Sequence, residues 1–189
     1  MLGEYSVAQN ADYGTAKGID LDIENRGQLI NTSIQYTFSV AKGNGEYDKA
    51  AFGNKYVDAP TQEYIMRYDR PHDLTVSLYS TRLPYKITAG LNGYYQSGFP
   101  YTPTLEKGDG EPYNDEFNKY SKRSSDYKQI DLAMSRDFSF RNMDVTFGMN
   151  IYNLFNTVNI LDIYQETGQA DVRSEYYTKE IGLPENGGT

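Results

Sequence analysis

From Tyr127 to Asn156 the chain reads YKQIDLAMSRDFSFRNMDVTFGMNIYNLFN, and its side chains change character with a period of two. Val145, Phe147, Met149 and Ile151 fall on one face, and Asp144, Thr146, Gly148, Asn150 and Tyr152 on the other. Just before them, Ile130, Leu132 and Met134 oppose Gln129, Asp131, Ala133 and Ser135. That period belongs to a strand, whose successive side chains point to opposite sides of a sheet. The spacing predicts two long antiparallel strands turning near Ser139–Asn142. Their polar face looks small and hydrogen-bonding, unlike a charged skin. An apolar band backed by a polar face is what a barrel in lipid requires, because closure pairs every backbone donor and acceptor between strands.

The same alternation recurs upstream. Gly18–Glu24 sets Ile19, Leu21 and Ile23 against Asp20, Asp22 and Glu24. Gln28–Val40 is long for a globular strand and suits a tilted membrane strand. His72–Thr81 and Tyr85–Gln96 complete a predicted set of six, and a smaller hairpin is expected from Ile160–Gln165 and Ala170–Tyr177 around Gly168. Gly3–Lys17 and Ile181–Thr189 read as loop. The connections alternate. Asn25-Arg26-Gly27, Arg82-Leu83-Pro84 and Ser139–Asn142 are short, whereas Ala41–Arg70 and Ser97–Asp126 are long. Barrels of the outer membrane sort their loops this way, and a structureless stretch of that length is uncommon in a compact soluble domain. The expected fold is all-β: an antiparallel meander of about six to eight long strands, a partial segment of a transmembrane β-barrel with long outer loops and short periplasmic turns.

Composition narrows the function. The mean hydropathy is -0.71, and no run approaches the length of a transmembrane helix, which leaves barrel strands unaffected because about half of their residues are polar. Tyrosine is abundant at 19 residues, with 8 Phe and no Trp. Its amphipathic ring suits a bilayer interface or a ligand surface. A net charge of -8 with no basic stripe argues against nucleic acid. The absence of Cys excludes disulfides and thiolate chemistry. The start Met1-Leu2-Gly3-Glu4-Tyr5 has no basic segment and no apolar core, so no signal peptide is read there.

Five segments carry a family resemblance. Gly14-Thr15-Ala16-Lys17-Gly18-Ile19-Asp20-Leu21, Gln35-Tyr36-Thr37-Phe38-Ser39, Tyr68-Asp69-Arg70-Pro71-His72, Ser97-Gly98-Phe99-Pro100-Tyr101-Thr102-Pro103 and Ile151-Tyr152-Asn153-Leu154-Phe155-Asn156 stand in this order. They resemble strand starts, strand ends and a loop segment from the C-terminal part of the barrel of TonB-dependent outer-membrane receptors. The resemblance runs from about Gly14 to Phe155. It implies energised uptake of a nutrient such as a siderophore, a metal complex or a glycan. In that family a barrel of about 22 strands is filled by a plug. It also implies a location in the outer membrane of a Gram-negative bacterium. Residues 1–189 show no plug domain, no TonB-contacting box and no terminal strand ending in an aromatic residue, so they are expected to be a partial barrel domain that does not transport alone. The implied partners are outer-membrane lipid, the plug and remaining strands of the same receptor chain, TonB through the missing N-terminal part, and a small-molecule ligand.

Candidate site residues come from the long connections. Tyr47, Tyr56, Phe99, Tyr101 and Tyr113 are the ligand-stacking candidates, with Phe52 and Tyr64 beside them. The competing reading is that they pack the loops and form an interfacial girdle. Asp20, Asp22 and Glu24 read as a polar wall, because carboxylates on alternate residues of one strand need a partner across a cleft to act as a glycosidase pair. His72 is the only histidine and suits a structural hydrogen bond. The acidic loop Glu106–Glu116 offers hard oxygens but lacks EF-hand spacing, and Gly108 and Gly110 match no phosphate loop. No metal, cofactor or catalytic group is expected, and no enzyme. Two alternatives stand beside the receptor: a small eight-stranded outer-membrane barrel with a structural or adhesin role, and a soluble carbohydrate-binding β-domain.

Overall fold

The computed structural model of the protein describes residues 13–44, 63–108, 110–180 and 182. The fold is all-β. Six long strands form an antiparallel meander: β1 (Gly14–Arg26), β2 (Asn31–Gly43), β4 (His72–Leu83), β5 (Ile87–Gln96), β10 (Tyr127–Phe140) and β11 (Met143–Ile151). They lie side by side in the order β1-β2-β4-β5-β10-β11, and β3 (Tyr64–Ile65) adds to the end of β2. The sheet is open. Among the described residues β1 and β11 each pair on one side alone.

Tight turns gather at one end of the sheet and long connections at the other. At the turn end, Gly27 N–H donates to Ile30 O at 3.2 Å and closes β1 onto β2. Pro84–Lys86 joins β4 to β5 through a short 3₁₀ turn, with Tyr85 and Lys86 at φ 64 and 57. Arg141 and Asn142 join β10 to β11. Among the described residues the loop end carries 63–71, 97–108, 110–126 and 152–180. The stretch between β5 and β10 contains two small ribbons, β6 (Pro100–Tyr101) with β9 (Lys122–Arg123), and β7 (Thr104–Glu106) with β8 (Pro112–Asn114).

Cross-strand partners share a face, so the register sorts every side chain. Ile19 lies opposite Phe38, Ile34 opposite Val76, Leu78 opposite Leu91, Leu91 opposite Leu132, and Met134 opposite Met149. These pairs build one apolar face across all six strands. It is uncovered: Ile19 is 71% exposed and Phe147 66%. Aromatic residues edge the aliphatic band at the loop end of β2, β4 and β5 and at the turn end of β10 and β11. Toward the loops stand Tyr36, Phe38, His72 and Tyr95. Toward the turns Phe138 stacks on Phe140 at 6.5 Å and meets Phe147 edge-on at 5.6 Å. From Lys128 to Arg136 is about 27 Å along a strand at about 3.4 Å per residue, close to the height of an outer-membrane barrel's apolar band once tilted.

The core lies in the loop layer. Ala41 and Met66 are its buried hydrophobic residues, and Asp69, Ser97, Thr102, Asp115 and Ser124 are buried with them.

Several strand ends differ from the expected ones for local reasons. β1 begins at Gly14 because Gly14–Lys17 pair through the backbone with Val40–Gly43, which requires no side-chain alternation. β2 begins after Gln28, because residues 28–30 belong to the turn. β11 stops at Ile151. Asn153 takes φ 52, and Leu154 N–H returns to Ile130 O at 2.7 Å. The expected last hairpin reduces to one bridge between Tyr164 and Gln169, and Tyr176–Glu180 forms a helical turn in place of its second strand.

Asn153 holds this strand end. Its side-chain amide accepts from Thr157 N–H at 2.8 Å and donates to Thr157 O at 3.0 Å, standing in for a peptide group. Asn also tolerates the left-handed region better than most residues. Asn153→Ala is expected to cost about 1–2 kcal/mol. The expected signature is faster hydrogen exchange at Leu154 and Thr157 with β5 and β10 still protected. Unchanged exchange at both amides would refute that role.

Candidate functional site

The loop end is assembled around Asp69. Its carboxylate accepts the Ala41 N–H at 2.5 Å and pairs with the Arg123 guanidinium, which also donates to Asp69 O at 2.7 Å and Gly98 O at 3.2 Å. Asp69 is 2% exposed. One ion pair therefore ties β2, the entry to β4, the exit of β5 and β9 together. Ser97 adds a reciprocal clamp, donating its N–H to His72 O at 2.9 Å and accepting His72 N–H on its hydroxyl at 3.1 Å. A side chain on Gly98 would run into the Ser124 carbonyl, so only glycine lets these two segments approach. The segments Tyr68–His72 and Ser97–Pro103, which carry the family resemblance, are thus the parts that fasten the loops to the sheet.

Below this layer the polar face forms a wall. Thr37 donates to Asp20 at 2.6 Å, Gln96 to Asp73 at 2.6 Å, Gln129 to Asp131 at 2.7 Å and Thr146 to Asp137 at 2.7 Å. Arg70 reaches from the rim to Gln96 Oε1 at 2.6 Å. The register places Asp20, Asp22, Glu24, Asp73, Asp131, Asp137 and Asp144 on this face, and among the described residues whose face the register assigns, Arg26 is the long-strand cation that joins them. The wall is therefore far more acidic than the sequence pattern of β10 alone suggests. Gly90, Ala133 and Gly148 leave a shallow depression of about 300 Å³ in it, lined also by Tyr79, Asn92 and Asn150.

The sequence candidates fare differently. Tyr47 and Tyr56, with Phe52, lie outside the described residues. Phe99 is half-buried, and its carbonyl accepts Ser124 N–H at 2.9 Å. Tyr101 lies on β6 with its hydroxyl against Gly168, which has φ 71. Tyr113 is exposed on β8. Among the described residues no ring contact joins these three. Tyr64 is packed against Tyr120 at 6.0 Å, with the Lys119 ammonium 4.9 Å from its ring centroid.

His72 Nδ1 and the Tyr36 hydroxyl share a hydrogen bond of 2.8 Å, the structural contact expected of it. In the acidic loop Glu111 pairs with Lys107. Asp115 caps a short helical turn by accepting Phe117 N–H and Asn118 N–H, each at 3.2 Å. These carboxylates have structural partners. Among the described residues no group of three His, Cys, Asp or Glu side chains is arranged to hold a metal.

A scan of protein-family models finds none that matches this chain, and searches of curated proteins and of solved structures find no significant match.

Removing one member of a buried ion pair strands the other, at a cost of about 3–5 kcal/mol. Asp69→Ala is therefore expected to loosen the loop layer. Limited proteolysis should then cut within residues 97–126 at least tenfold faster, while the β10–β11 hairpin stays resistant. Equal cleavage rates would show that Asp69 is not the anchor.

Proposed function

We propose that this chain is part of the wall and outer-loop layer of a TonB-dependent outer-membrane receptor, and that the loop end faces the cell exterior. The observation that carries the proposal is the two-faced sheet. An apolar band across all six long strands, edged by aromatic rings at the loop end of β2, β4 and β5 and at the turn end of β10 and β11, backs onto a polar wall, with the tight turns gathered at one end. In water, the uncovered apolar face would be a strong aggregation liability, whereas in a bilayer it is solvated by acyl chains. Among the described residues the outer edges of β1 and β11 pair with no strand, which calls for further strands, because hydrocarbon offers backbone groups no partner. The remaining barrel strands of the same receptor are the natural ones. The choice of family rests on the resemblance of the five motif segments.

In this reading the polar wall lines the passage and the loop layer meets the nutrient. The excess of carboxylates on the wall repels anions, so neutral glycans and neutral or cationic complexes suit it better than anionic cargo. Transport belongs to the complete receptor, with its plug and its contact to TonB.

Fractionation of the source cells tests this directly. An antibody to residues 105–125 should detect the native polypeptide in the outer-membrane fraction, at a denatured mass well above 21.5 kDa. Detection in the soluble fraction would overturn the membrane assignment, and a membrane band at 21.5 kDa would favour a small barrel. Substitution gives a second test. Lys at Leu91, mid-band on the apolar face, should cost about 2–4 kcal/mol in the bilayer, whereas Lys at the neighbouring Asn92 on the polar face should cost little. Urea unfolding in phospholipid vesicles distinguishes them, and equal effects at both positions would contradict the assignment of faces.

A further inference from the structure

The apolar face is not uniform. Val76, Gly93 and Ile130 are neighbours across β4, β5 and β10, and the middle position has no side chain. The result is a trough of about 400 Å³ lined by Leu74, Val76, Leu78, Leu91, Ile130 and Phe155. Its lining runs about 14 Å along β4, from Leu74 to Leu78, and crosses β5 and β10 to Phe155. A Cβ at Gly93 would meet nothing closer than 3.9 Å, and its φ lies outside the range that favours glycine. Neither packing nor backbone geometry demands a glycine, and its effect is to leave this space open.

Phe155 closes one side of the trough. It is carried there by the strand ending described above, in which Leu154 N–H bonds Ile130 O. Asn159 extends the attachment, accepting Lys128 N–H and donating to Lys128 O, both at 2.9 Å. At the loop end Tyr95 and Lys128 face each other across the strands, with the ammonium 5.7 Å from the ring centroid. Asp126 is engaged by the Tyr95 hydroxyl at 3.0 Å and by Gly98 N–H at 3.2 Å. Among the described residues Lys128 forms no ion pair. An apolar hollow in the lipid-sized band, with a cation beside a tyrosine at its loop-end rim, matches one kind of occupant.

We propose that the trough seats an acyl chain of an anionic membrane lipid, with Lys128 at its mouth taking the headgroup phosphate. The proposal rests on the membrane-wall reading above. Apolar lining and position within the band select the chain, and the sign of Lys128 selects the headgroup.

The test uses the intact protein in vesicles that contain trace phosphatidylglycerol bearing a diazirine midway along one acyl chain. Phosphatidylcholine with the same label is the comparison. After photolysis, labelled residues are mapped by mass spectrometry. Label is expected to concentrate at Leu91, Ile130 and Phe155. Gly93→Leu, which fills open space, should reduce labelling there at least fivefold and leave Leu21 and Met149 unchanged. Lys128→Glu should remove the preference for phosphatidylglycerol. Even labelling over the whole apolar face, or undiminished label in Gly93→Leu, would overturn the seat while leaving the membrane wall intact. A retained preference in Lys128→Glu would overturn the headgroup assignment. No label anywhere on the apolar face, Leu21 and Met149 included, would overturn the membrane wall and the seat together.

Discussion

Everything in this structure depends on strand register. Cross-strand partners share a face, so a slip of one residue in any strand would move its whole apolar set onto the polar wall. The turns at one end hold that register. Gly27–Ile30 closes with a single backbone bond, Pro84–Lys86 uses two left-handed residues, and Arg141–Asn142 is as short as a hairpin connection can be. With the turns set, Ile34, Val76, Gly93 and Ile130 line up across four strands. The apolar band, the girdles and the trough all follow from this alignment.

The sheet and the loops are stabilised by different means. A single open layer has no interior of its own, and its apolar face takes its stabilisation from whatever solvates it. The loop layer has a small interior, and that interior is largely polar. Asp69 and Arg123 there are costly to desolvate and are matched by hydrogen bonds to Ala41 N, Asp69 O and Gly98 O. Such a pair adds specificity of geometry more than stability. A loop layer built from long connections gains one fixed shape from that specificity. The exposed pairs Arg26–Glu24 and Lys179–Glu175 contribute little by comparison.

Three of the five motif segments acquire physical meaning only in this context. Asp69 of the Tyr68–His72 segment is the buried hub, Gly98 of Ser97–Pro103 permits the approach to Ser124, and Asn153 of Ile151–Asn156 ends β11 and swings Phe155 over the apolar face. None was legible as such in the chain, because each acts on a partner far along the chain, up to 54 positions away, or on a backbone angle. The candidate stacking residue Tyr101 proved to be held against Gly168 for the same reason: the segment after β11 folds back over the loop. The expected tail hairpin had alternation without a partner. Pairing supplies strand stability, and in that segment it is limited to Tyr164 and Gln169.

The sequence by itself determined the elements and their sidedness. A period of two sustained over about ten residues has one structural solution, and short turn segments between such runs dictate antiparallel neighbours. Which residues face each other was decided by the tertiary structure. The acid excess of the wall, the trough at Gly93 and the Asp69–Arg123 anchor each join residues from different strands or loops. Alternation is local and can be read along one strand. Juxtaposition depends on register and on loop closure, which are properties of the folded chain as a whole.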